Sequence, residues 1–61
     1  MKTMFDVQQT LKQFGIFIYT GNRRADMDLM ETEIRELYKS GLISTIVFQQ
    51  AIQTLRREKN L

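Results

Sequence analysis

Gly15-Ile16-Phe17-Ile18-Tyr19-Thr20-Gly21-Asn22 is the stretch on which the fold turns. Its β-branched and aromatic residues, bracketed by glycines, have the composition of a strand. No second stretch of that kind occurs in the 61 residues. A lone strand would leave its backbone donors and acceptors unpaired. The stretch is therefore read as an extended or single-turn connector laid across helices. The expected fold is all-α: a small three-helix bundle with an apolar extended connector between helices 1 and 2, in one domain spanning residues 1–61.

On the N-terminal side of the connector, the pattern predicts a helix over residues 4–14. Thr3 with Asp6 three residues later is a capping box, in which hydroxyl and carboxylate each satisfy a backbone N–H. Met4, Val7, Leu11 and Phe14 recur at helical spacing and make one stripe. Gly15 suits the left-handed residue that closes such a helix.

On the C-terminal side, a longer helix is predicted over residues 23–40. Asn22 is its cap, and Asp26 and Asp28 favour the positive end of the helix. Met27, Met30, Ile34, Leu37 and Tyr38 share a face. Arg24 with Asp28 and Glu31 with Arg35 are expected i,i+4 ion pairs. Leu29 lies off that face, beside Ala25, and is the expected docking point for the connector. Gly41 ends the helix, with Leu42 folding back on its last turn.

A third helix is predicted over residues 45–58, capped by Ser44, with Ile43 and Phe48 as a hydrophobic staple. Phe48, Ala51, Ile52 and Leu55 form its apolar face, with Val47 at the edge. Arg56, Arg57 and Lys59 suit the negative end of the helix dipole. The short turn between the second and third helices makes them antiparallel.

Composition narrows the chemistry. Cysteine, histidine, proline and tryptophan are all absent. No disulfide or thiolate metal site is possible, and the commonest general base and metal ligand is missing. The serines and threonines have no imidazole or evident lysine partner, so nucleophilic catalysis has no support. Asp26, Asp28, Glu31, Glu33 and Glu36 lack the glycine-turned loop that gathers oxygens around Mg²⁺ or Ca²⁺, and read as a solvated acidic face. The expectation is a protein that is not an enzyme and uses no cofactor or metal. The longest apolar run, Ile16–Tyr19, is far short of a membrane span. The first residues lack the apolar core of a signal peptide, which makes the cytoplasm the default location.

Charge is uneven. The net +2 divides into +1 over residues 1–22, +2 at Arg23 and Arg24, −3 over residues 25–40 and +2 over residues 41–61. A chain this small buries only roughly 60% of its unfolded surface, so its stability margin is thin and a partner or self-association would help it.

The connector is also the best candidate site. Phe17 and Tyr19 precede Arg23 and Arg24 at a helix start, with Lys12 and Lys2 extending a basic track. Aromatic faces stack single-stranded bases while guanidiniums and helix N–H groups take phosphates. This points to single-stranded RNA or DNA. The competing reading places Ile16 and Phe17 in the core, leaves Tyr19 half-buried, and has Arg23 covering apolar surface with its stem. A different function class, a protein-interaction or self-associating adaptor, is suggested by Leu29, Ile46 and the connector, which are apolar but lie off the main stripes. The hairpin from Leu37 to Arg57 superficially suggests a DNA-reading helix-turn-helix. Its turn is one residue too long and its first helix too extended, so an ordinary αα-hairpin is expected.

Phe5-Asp6-Val7-Gln8-Gln9, then Phe17-Ile18-Tyr19-Thr20-Gly21-Asn22-Arg23 with Ala25-Asp26, then Glu33-Ile34-Arg35-Glu36-Leu37-Tyr38 resemble the YqgQ-like family, short proteins of Gram-positive bacteria without an established function. The resemblance covers nearly the whole chain, and the Ile-Tyr-Thr-Gly-Asn-Arg stretch is its most specific part. It implies a three-helix bundle in a cytoplasmic bacterial protein, with no enzyme activity, cofactor or metal. It also implies single-stranded nucleic-acid binding, which carries over to Phe17, Tyr19, Arg23 and Arg24 alone.

Overall fold

Three side chains start three helices. In the computed structural model, which describes residues 1–60, these are α1 (Met4–Lys12), α2 (Arg23–Lys39) and α3 (Thr45–Lys59). Before α1, the Thr3 hydroxyl accepts the Asp6 N–H while the Asp6 carboxylate accepts the N–H groups of Thr3 and Lys2. Before α2, Asn22 Oδ1 accepts the Ala25 N–H at 3.0 Å, and before α3 Ser44 Oγ accepts the Val47 N–H at 3.1 Å. Each cap satisfies a donor that has no partner within its helix. No strand occurs among the described residues.

The apolar stripes meet in one core. Val7 and Leu11 of α1, Met27, Met30, Ile34 and Leu37 of α2, and Ala51, Ile52 and Leu55 of α3 are all buried. Helices α2 and α3 are antiparallel. Near the turn Tyr38 stacks on Phe48 at 4.2 Å, and at the far end Lys59 reaches Asp28 and Glu31. The Arg35 guanidinium lies 5.9 Å from the Phe48 ring centre, adding a cation–π contact to that end. Ile43 and Phe48 both pack on the core margin, as the staple reading expects.

Four expectations need correction. Helix α1 stops two residues early: Gln13 and Phe14 bond back three residues, to Thr10 and Leu11, rather than four. That tighter winding turns Phe14 off the stripe and leaves it exposed. Gly15 nevertheless closes the turn at φ 77°, with Ile16 N–H returning to the Leu11 carbonyl. Second, Asp28 pairs with Lys59 at 2.8 Å instead of Arg24, because α3 brings an ammonium that bridges Asp28 and Glu31 together. The Glu31–Arg35 pair does form, at 3.0 Å. Third, Leu29 stays exposed and outside the core, so it does not dock the connector. Fourth, Asp26 does not belong to a solvated acidic face: it is 2% exposed.

Candidate nucleic-acid interface

The connector is an unpaired strap. Its side chains alternate with the period of an extended chain: Ile16 and Ile18 turn inward against the core margin, while Phe17 and Tyr19 turn outward, 72% and 86% exposed. The reading that buried Phe17 and half-buried Tyr19 is overturned. The isoleucines fill the inward positions, so the rings on the alternate positions go to solvent. In an extended chain, residues two apart are about 7 Å apart on one face.

Both ends of the strap are held. At its start, the Ile16 N–H donates to the Leu11 carbonyl at 3.1 Å, and midway along it the Gln8 side chain of α1 donates to the Ile18 carbonyl at 3.4 Å. At its end, the Thr20 backbone N–H and hydroxyl both donate to Asp26 Oδ1, at 2.7 and 2.6 Å. The Thr20 hydroxyl also accepts the Asn22 N–H at 3.2 Å, closing the turn into α2. Gly21 makes that turn at φ 87°, in the left-handed region where a side chain is strained.

An open groove of about 500 Å³ runs between the strap and α1. Lys12, Phe17 and Tyr19 line it together, with Gln8, Leu11 and the two isoleucines at its floor and sides. Three of the five residues chosen from the sequence therefore share one concavity. Arg23 and Arg24 do not line it. Arg23, the first residue of α2, is engaged by α3: its Nη2 donates to Glu58 Oε2 at 2.9 Å. Arg24 is exposed and has no ion-pair partner among the described residues. Lys2 is exposed too, with its carbonyl accepting from Arg57.

The structure gives site roles to two residues outside the five chosen from the sequence. Asp26 anchors the strap, and its only linear signal is a threonine six positions earlier. Glu58 engages Arg23, and its only linear signal is that it is the single acid in a basic final turn. Among the described residues, no three acidic side chains gather to hold a metal ion, and no helix is long and apolar enough to cross a membrane.

A three-helix bundle that displays an aromatic strap between its first two helices is thus the class that fold and site define. The chain belongs to the YqgQ-like family, whose model matches residues 1–61. It is also similar to the uncharacterized protein YqgQ of Bacillus subtilis (strain 168), with 40% identity over 58 residues, 95% of this chain and 82% of that protein.

Proposed function

We propose that this protein is a non-enzymatic module that binds single-stranded RNA or DNA along the strap. The observation that carries this reading is the outward pair Phe17 and Tyr19, 72% and 86% exposed on a segment anchored at both ends, by Ile16 to Leu11 and by Thr20 to Asp26. Exposing two large rings costs a small domain apolar area it could bury, and a stacking platform accounts for that cost. Lys12 in the same groove supplies a cation for a phosphate, and Arg23 and Arg24 supply two more beyond the strap's end. Unstacked bases suit such a surface because every base has a π-face. A duplex hides its base faces and does not suit it. Titration of a fluorescently labelled single strand at low salt tests the reading: binding that falls steeply with added salt supports it, and no binding at low salt overturns it.

A second reading, a docking surface for protein or for another copy of the chain, is favoured by Ile46. This residue is 66% exposed beside Phe48 in a second open groove of about 600 Å³ along α3, with Arg35 of α2 at its edge. Sedimentation of the purified chain tests self-association. A strict monomer at high concentration counts against it.

A further inference from the structure

Glu58 is out of place by ordinary helix electrostatics. It lies in the last turn of α3 among Arg56, Arg57 and Lys59, where the helix dipole disfavours a carboxylate. Its partners explain it. Oε2 accepts Arg23 Nη2 at 2.9 Å and Oε1 accepts the Met4 N–H at 3.2 Å. One carboxylate therefore serves the first residues of both α1 and α2, where donors point outward and the dipoles are positive. The Glu58 side chain is 13% exposed and that of Arg23 56%, so the guanidinium opens to solvent while the carboxylate is largely covered.

We propose that Glu58 is an internal competitor for phosphate. It holds Arg23 in the unliganded protein, and a backbone phosphate of the bound strand must take Arg23 from it. This rests on the reading that the strap binds single-stranded nucleic acid, and it makes Glu58 the residue that sets the strength of that binding. The exchange is within reach because a solvent-facing ion pair is weak, whereas guanidinium and phosphate form a bidentate charge-assisted pair. The hydrogen bond from Met4 keeps Glu58 docked when Arg23 leaves, so the swap leaves the bundle intact.

The test compares four full-length forms by anisotropy of a fluorescein-labelled oligothymidylate at low salt: wild type, Glu58→Gln, Arg23→Ala and the double variant. Glutamine keeps an acceptor for the Met4 N–H. The expected result is binding about two- to fivefold tighter in Glu58→Gln, the worth of a solvent-facing ion pair, with no such gain when Arg23 is already alanine. If wild type binds and Glu58→Gln binds no tighter, the competitor role is overturned while strand binding stands. If the gain persists without Arg23, Glu58 merely repels the strand and the role is likewise overturned. If wild type does not bind, both readings fall together. Should Glu58→Gln fail to fold, the Arg23 side-chain N–H signals of the wild type decide by NMR: they shift on adding oligothymidylate, and unmoved signals in a bound complex overturn the proposal.

Discussion

Asp26 and Thr20 are joined by two hydrogen bonds to a single carboxylate oxygen, from the Thr20 N–H at 2.7 Å and its hydroxyl at 2.6 Å. Asp26 belongs to the first turn of α2 and is buried; Thr20 is the last residue of the strap before Gly21. A buried carboxylate is tolerated only where donors replace its water, and here the strap supplies them. The anchor of the candidate site is thus also part of what closes the bundle.

Asp26→Ala removes both bonds and leaves the Thr20 N–H without its partner. Charge-assisted bonds of this kind are worth about 1.5–3 kcal/mol, so a loss of about 2–4 kcal/mol is expected. In a domain this small that lowers the melting temperature by about 10 °C or more. Thr20→Val keeps the backbone bond and loses the hydroxyl's bonds to Asp26 and Asn22, so it costs about 1.5–2 kcal/mol, at the low end of the loss in Asp26→Ala or below it. Thermal melts followed by circular dichroism order the two variants; equal losses would contradict the double anchor.

The helices were legible because their starts are local. Thr3, Asn22 and Ser44 each lie within three residues of the donor they satisfy, and Gly15 and Gly41 each close a helix within three residues of its last turn. Features that depend on chain closure were not legible. Arg24 and Asp28 are correctly spaced for a pair, yet Lys59 from another helix takes Asp28. Arg23 looked available until α3 delivered Glu58, 35 residues away in sequence. At the site, the alternation of isoleucine with aromatic showed that the strap has two faces. Which face turned inward depended on the core margin that α1 leaves for Ile16 and Ile18.

Tyr19→Ala and Phe17→Ala separate binding from folding. Both rings are largely exposed, so each variant is expected to melt within about 0.5 kcal/mol of wild type. A stacked base is worth about 1–3 kcal/mol, so single-strand affinity should fall at least fivefold, and as much as about a hundredfold, with either change. Ile18→Ala gives the reverse pattern, losing stability because its side chain packs inward. Anisotropy titrations beside thermal melts check both halves. Unchanged affinity in Tyr19→Ala would remove the platform.

Lys12 and Arg24 act on the salt dependence. Each phosphate contact to a single strand contributes about 0.7 to the slope of log K against log salt concentration. Lys12→Ala is expected to reduce the magnitude of that slope by about 0.7, because Lys12 lines the groove with both rings. Arg24→Ala does the same if the strand continues past Gly21 onto the start of α2. Titrations at several salt concentrations measure the slopes, and a Lys12→Ala slope equal to that of wild type would take Lys12 out of the interface.

Acid is expected to loosen the bundle at its charged ends. Hydrogen bonds from the Lys2 and Thr3 N–H groups lower the pKa of Asp6, the bond from Lys59 lowers that of Asp28, and the bonds from Arg35 lower that of Glu31. The unfolded chain therefore takes up protons at a higher pH than the folded one. The stability these groups contribute is full above the ordinary carboxylate value of about 4 and is lost as pH falls through the lowered folded values. Lys59 runs the other way. Asp28 raises its pKa above the ordinary ammonium value, so its contribution is full below about 10.4 and is lost as pH climbs through the raised folded value. A melting temperature nearly constant between about pH 5 and 9 is expected, with a decline below about pH 4. Asp6→Asn and Asp28→Asn should each narrow the gap between melts at neutral and acid pH. Asp28→Asn alone should also soften the alkaline decline, since it removes the largest cause of the raised Lys59 pKa, the hydrogen bond to Asp28. Variants whose melts fall with acid as far as those of wild type would place the acid sensitivity elsewhere in the chain.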